Sequence, residues 1–449
     1  MRNSKLWAIA IKAVAFVLLF ALLVTGLNAW LAPTNTIRNK LKVYQRAESP
    51  DVLMMGNSTV MRLVPKYLDE ITGMDVHQMG SPMQSLTASY YLLQEAIDQG
   101  KKPDTLMLYM HIRRFEREGS DYDFAFVQAL PWGRSKIGML KDAFTLDDLP
   151  EAIFPCVYGR EELFTKVKDL LLPAAEADEM KEIKARLKED YATIKKYFGK
   201  GVNSITNDAQ NPRSVEIGAT DTFNLDAVNQ ASLKVFYDIV ELCEENDIDL
   251  VLFTLPILPG NLIATGGDGY GAFHDYVQEL ADQMDIPYWD FSYLKESVLK
   301  VDSSMFSDSR HGNATFALKV GEVIGTMLRE YKEGSLKQEN YLYDDYETYL
   351  QTYKGVNALY PNGAVYSSGN TKNYINIRAA LGADTVMETR VSVAPLKSDD
   401  FEVFQDWSTK KRVVFGDKLK PGKYRIKFEA RTQGSEEVEQ TLIKTYTFK

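Results

Sequence analysis

Five short apolar runs, separated by stretches of helical periodicity, restrict the fold of this chain more than anything else in it. They fall at residues 52–55, 74–79, 105–110, 249–255 and 287–291. A strand buried on both faces reads as an unbroken apolar run, and a parallel neighbour can be reached only by a crossover, usually a helix. Between the first two runs, Val60, Leu63, Val64, Leu68 and Ile71 recur at helical spacing, which predicts one helix over 60–71. Similar patterns over 86–97, 233–245, 273–284 and 314–331 predict four more. The expected fold is α/β, a flavodoxin-like, doubly wound parallel sheet of five strands.

Residues 48–333 would form this α/β domain, interrupted at 115–226 by an interval far longer than an ordinary crossover. That insertion includes a charged helical stretch over 174–197, and two readings stay open: a cover over a ligand crevice, or a solvated face. After Gly334 the texture changes to alternating runs, 374–378, 389–393, 411–415, 424–430 and 441–448, broken by turn residues such as Pro421-Gly422. Residues 334–449 are therefore expected to be a small C-terminal β-sandwich, whose aromatic side chains can fill a core or stack on sugars.

The chain of 449 residues has a formal net charge of −10, which argues against nucleic acid as a partner. Two cysteines, Cys156 and Cys243, can form at most one bridge and no thiolate zinc site. The four histidines, His77, His111, His274 and His311, contain no zinc-protease spacing, so no metal site is expected. No cofactor is expected. His77 and His274 have no evident partner and read as surface or strand-edge residues. Near the N-terminus, residues 13–31 hold no charge and approach the length needed to cross a bilayer core of about 30 Å. No small-residue cleavage site follows, so residues 6–32 are expected to be an uncleaved transmembrane anchor. Arg2, Lys5 and Lys12 favour an inside N-terminus, whereas Arg38, Lys40, Lys42 and Arg46 oppose it.

Two segments hold residues suited to chemistry. The first strand runs into Gly56-Asn57-Ser58, placing a serine hydroxyl at the sheet's carboxyl edge, where an open α/β sheet forms its crevice and a helix N-terminus favours negative charge. Ser58 can equally be a helix N-cap. Later, Asp308-Ser309-Arg310-His311 precedes the last helix on the same edge. A carboxylate three residues before a histidine can hold one ring nitrogen and leave the other to take a proton from serine.

Gly56-Asn57-Ser58, Gln78-Met79-Gly80 and Asp308-Ser309-Arg310-His311 together resemble the SGNH, or GDSL-like, hydrolase superfamily, over residues 52–328 outside the insertion. The resemblance implies Ser58 as nucleophile, His311 as base, Asp308 as its orienter, and the amides of Ser58 and Gly80 as oxyanion donors. It is incomplete: Asn57 replaces an aspartate, Gln78 an asparagine, and the family's Gly-x-Asn-Asp block is absent where Leu108-Tyr109-Met110-His111-Ile112-Arg113-Arg114 stands. His111, Arg113 and Arg114 can supply a lost donor or grip an anionic substrate, as Asn57 can line the crevice, or they can form an exposed basic turn with Glu116 and Glu118. The anchor, Gly80-Ser81-Pro82-Met83-Gln84-Ser85 and the relaxed third block resemble the membrane-anchored subset that works beside membrane-bound O-acyltransferases in teichoic-acid D-alanylation and polysaccharide O-acetylation. That resemblance implies a single-pass protein of the cell membrane, mostly outside the cytoplasm. It would act by acyl hydrolysis or transfer on a cell-envelope polysaccharide or acylated wall polymer. The rival expectation is an inactive scaffold that binds glycan or a membrane acyltransferase.

Overall fold

The computed structural model describes residues 36–116, 123–153, 178–200, 223–359 except 309, and 374–448 except 399, with isolated positions elsewhere. Strands β1 (Val52–Met55), β2 (Val76–Gln78), β3 (Thr105–Tyr109), β4 (Asp249–Thr254) and β5 (Tyr288–Asp290) form one sheet in the order β2-β1-β3-β4-β5. All four pairings are parallel, with Val52 opposite both Val76 and Thr105. The order reverses between β1 and β3, so the carboxyl ends of those strands open a crevice there.

Alternate residues of each strand serve opposite faces, as the pleat requires. Leu53, Met55, Leu106 and Leu108 join the core beneath the helices Leu86–Asp98 and Gln230–Glu245, whereas Val52, Met54, Met107 and Phe253 join Leu68, Val320 and Ile324 on the other side. That second layer is built from helices Pro65–Thr72 and Ala314–Lys332.

The helix expected over 60–71 is broken. A 3₁₀ turn, Val60–Arg62, ends at Leu63, and the α-helix begins only at Pro65. Proline lacks an N–H to continue a helix and forces the preceding residue into extended geometry, seen at Val64 with φ −111° and ψ 107°. The helix Thr36–Arg46, which the sequence pattern did not suggest, buries Ile37, Leu41 and Tyr44 in the first core. Within the insertion, Asp178–Lys195 is a helix whose Leu187 and Ile194 pack with Val64, Ala314 and Ala317. Thr315 Oγ1 donates to Asp190 Oδ2 at 2.5 Å. This stretch is thus not a wholly solvated face, because it buttresses the terminal helix.

The strands of the C-terminal region are β6 (Val356–Leu359), β7 (Tyr374–Asn376), β8 (Ala379–Leu381), β9 (Met387–Pro395), β10 (Glu402–Ser408), β11 (Arg412–Val414), β12 (Gly422–Thr432) and β13 (Gln440–Phe448). They form an antiparallel sheet, β10-β9-β12-β13, joined by two short ladders, β6-β8 and β7-β11, around a shared core of Val391, Ile426, Phe428 and Phe415. One sheet is complete, and two ladders stand where the expected sandwich has its second sheet. Among the described residues, no helix is long and apolar enough to cross a membrane. Most of the expected 6–32 anchor lies outside the described residues, although Trp7, Phe16 and Leu22 are helical and exposed. Cys243 is a buried free thiol, and Cys156 lies outside the described residues.

Candidate active site

Strand β1 ends at a close approach that only glycine permits. A Cβ on Gly56 would lie 2.5 Å from both Tyr109 Cβ and Val60 Cγ2. The chain then turns sharply: the Asn57 side chain accepts the Thr59 N–H at 2.9 Å, and the Asn57 carbonyl accepts the Val60 N–H at 3.2 Å. Asn57 thereby shapes the turn, and Ser58, half-buried, is free of the N-cap role that serine often fills. Thr59 holds the N-cap position of the 3₁₀ turn, and its side chain makes no capping hydrogen bond. Only one such turn follows before the Pro65 break, so no α-helix begins at Ser58 and no helix dipole is directed at it.

Ser58 Oγ lies 2.8 Å from His311 Nε2, across 253 residues of chain. On the other side of the ring, His311 Nδ1 lies 2.8 Å from Asp308 Oδ2 and 3.1 Å from Oδ1. Asp308 Oδ1 also accepts the N–H groups of Arg310 and His311, each at 2.8 Å. Partial burial pushes the Asp308 carboxyl upward, but these N–H groups and the imidazole outweigh it and hold it below its ordinary value. An ionised Asp308 fixes the proton on Nδ1 and leaves Nε2 as the acceptor facing serine.

Local hydrogen bonds deliver this loop to the site. The Ser307 N–H and hydroxyl both reach the His311 carbonyl, at 2.8 and 3.0 Å, and the Asn313 N–H reaches the Met305 carbonyl at 2.9 Å. Asn313 then caps the terminal helix, its Oδ1 accepting from Thr315 N at 3.0 Å and Phe316 N at 3.3 Å. The imidazole is therefore anchored from both ends of a short loop.

Gly80 approaches the Ser58 turn closely. A Cβ there would stand 3.0 Å from Val60 Cβ and 3.3 Å from the Asn57 carbonyl oxygen. The flanking N–H groups of Met79 and Ser81 donate to the Met54 and Gly56 carbonyls at 2.8 and 2.9 Å, tying this loop to the end of β1. Gln78 donates from Nε2 to the Val60 and Leu63 carbonyls at 2.7 and 3.1 Å. Its Oε1 accepts from Lys40 Nζ, which also donates to the Gly80 carbonyl at 2.6 Å. Lys40 is wholly buried, and burial pulls its ammonium down to about 7. In the sequence Lys40 is one flanking charge among several, and nothing marks it as part of this site.

At the position of the missing third block the structure places an aromatic wall. Tyr109 is buried against Gly56 and Phe253, and burial pushes its hydroxyl up to about 12. His111 is half-buried, its Nδ1 accepting the Arg113 N–H at 3.2 Å and its ring 6.2 Å from that of Tyr109. Arg113 is half-buried on the short helix Ile112–Glu116. Arg114 is not part of an exposed basic turn, because it is buried and donates to the Tyr109 carbonyl at 2.9 Å. Glu118 lies outside the described residues.

The two remaining histidines are not surface residues. His77 on β2 is buried, 3.5 Å from Asp75, and burial with the neighbouring Lys200 charge lowers its pKa. His274 is buried with Nδ1 2.8 Å from Asp290 Oδ2. Among the described residues no cluster of His, Cys, Asp and Glu is arranged to hold a metal.

No model of a known protein family and no curated protein matches the chain. A solved structure from Desulfitobacterium hafniense DCB-2, described as a lipolytic protein of the G-D-S-L family, is similar at 13% identity and a TM-score of 0.27. The likeness covers 64% of this chain and 98% of that one. At that score it adds no weight, and the functional reading rests on the site.

Proposed function

We propose that this chain is an SGNH-like serine esterase that works through an acyl-enzyme. The observation that supports this is the continuous contact Ser58 Oγ to His311 Nε2 to Asp308 at the carboxyl edge of β1, beside the strand-order reversal. His311 Nε2 takes the Ser58 proton as Oγ attacks the ester carbonyl, and the oxygen of the tetrahedral intermediate develops negative charge. The amides of Ser58 and Gly80 are assigned to that oxyanion. The proton on Nε2 then passes to the departing alcohol oxygen as its bond to carbon breaks, leaving the acyl group on Ser58. Water, or an acceptor hydroxyl, gives its proton to His311 and attacks the acyl carbon; the bond from that carbon to Ser58 Oγ then breaks and His311 returns the proton to Oγ, which restores Ser58.

In its finer form the reading is an envelope protein that removes acyl groups from, or transfers them to, a polysaccharide or wall polymer beside a membrane-bound O-acyltransferase. The apolar stretch at 13–31 supports membrane attachment, and His111 with Arg113 at the end of β3 offers contacts for an anionic polymer. The test of the core reading is covalent. Full-length protein treated with a fluorophosphonate should acquire an adduct on Ser58 by peptide mass spectrometry, and Ser58→Ala should acquire none. Absence of the adduct in wild type, with a control esterase labelled in parallel, would refute the acyl-enzyme.

A further inference from the structure

Lys40 is remote from Ser58 in sequence yet touches both loops that frame it. Its Nζ donates to the Gly80 carbonyl at 2.6 Å and to Gln78 Oε1, and the same Gln78 side chain donates to the Val60 and Leu63 carbonyls that close the turn after Ser58. One ammonium thus joins the β2 loop carrying Gly80 to the turn carrying Ser58. The helix that bears it, Thr36–Arg46, is held in place by buried Ile37, Leu41 and Tyr44. Tyr44 Oη donates to the Lys101 carbonyl at 2.6 Å, fixing the far end of the helix.

We infer that Lys40 is a positioning residue, which sets the backbone of Gly80 relative to Ser58 so that the two amides converge on one oxyanion. This rests on the acyl-enzyme reading. A buried ammonium is costly to keep, and removing it leaves the Gly80 carbonyl and Gln78 Oε1 without this donor, so its effect on rate has to be read separately from its effect on folding. One backbone carbonyl and one neutral amide are the partners seen, and burial alone accounts for the lowering of its pKa. The neutral amine that burial favours still donates two hydrogens, enough for both partners. Oxyanion catalysis depends on donors being in place before charge develops, and a displacement of a fraction of an ångström in one of them lowers the rate without loosening substrate. The segment that directly follows the expected anchor is thereby built into the reaction centre.

The test compares Lys40→Met, which keeps the stem and removes the amine, with wild type and with the exposed control Lys42→Met, all as full-length protein. With p-nitrophenyl acetate, kcat and the rate of Ser58 labelling by fluorophosphonate should fall by about 10- to 100-fold in Lys40→Met, with KM within about twofold. Lys42→Met should match wild type. Wild-type labelling rates in folded Lys40→Met would overturn the inference and leave the esterase reading standing. Failure of wild type to label at all would overturn both. If Lys40→Met does not fold, Lys40→Arg decides: a lower kcat per folded molecule at unchanged KM supports positioning, and an unchanged kcat overturns it.

Discussion

Two histidine–aspartate pairs in this molecule begin alike and end differently. In each, Nδ1 lies 2.8 Å from a carboxylate Oδ2, His311 with Asp308 and His274 with Asp290. They part at the second nitrogen. His311 Nε2 meets the Ser58 hydroxyl, which can donate, whereas His274 Nε2 meets the Asp344 backbone carbonyl at 3.1 Å, which can only accept. With acceptors on both sides, His274 is suited to the doubly protonated, charged form. Burial pushes its pKa down, but the Asp290 carboxylate outweighs this, with help from Asp275 and the Asp344 carbonyl, and the net shift is upward. Asp290 also accepts from Tyr270 Oη and Ser292 N, each at 2.9 Å. The inner pair is nearly closed to solvent, with side chains 5% and 2% exposed, against 26% and 55% for His311 and Asp308. Carboxylate contact alone does not make a histidine a base; what its far nitrogen faces decides.

The largest expected effect tests that contrast at the imidazoles. His311→Ala should lower the Ser58 labelling rate and esterase kcat by about 10⁴- to 10⁶-fold, since nucleophile and base act as a unit. His274→Ala should leave the rate per folded molecule within about threefold and lower the melting temperature instead. A rate loss at His274 as deep as that at His311 would erase the distinction.

The carboxylates separate by a smaller margin. Asp308→Asn should cost about 10²- to 10⁴-fold in kcat, because an amide cannot hold the required tautomer, with little change in thermal stability at so exposed a position. Asp290→Asn should do the reverse. Removing one member of a buried pair costs about 3–5 kcal/mol of stability, readable by urea unfolding, while kcat of the folded fraction persists. Stability loss in Asp308→Asn matching that in Asp290→Asn would mean that both pairs are structural.

The difference between the pairs also explains what the sequence makes legible. Asp308 and His311 are three residues apart, so one loop displays the pair, and the apolar runs fix their edge of the sheet. The strands themselves read clearly because continuous apolar character has few other uses in a chain of this composition. Asp290 and His274 are separated by 16 positions and meet only because helix Ala272–Gln283 packs beside β5. Their contact belongs to packing, which periodicity does not reveal. Lys40 is harder still: a lysine on an amphipathic helix reads as solvent-facing, and only the tertiary fold buries it against Gly80. The broken helix at Pro65 was written in the chain, and the apolar spacing on either side of it obscured the stop.

The smallest expected effect concerns pH and belongs to the inner pair alone. His274 has a folded-state pKa raised above its ordinary value near 6.5, so the folded protein holds a proton that the unfolded chain releases as pH rises. Its stabilising contribution is complete below pH ~6.5 and is lost as pH climbs through the folded value. The melting temperature of wild type minus that of His274→Gln should therefore be larger at pH 5.5 than at pH 9, by on the order of 2 °C for a chain of this size. Ser58 labelling, compared between the two proteins at each pH, should not differ. A melting difference that is flat across this range, or larger at the alkaline end, would show that His274 is held neutral and that its hydrogen bond to Asp290 carries no proton-linked stabilisation.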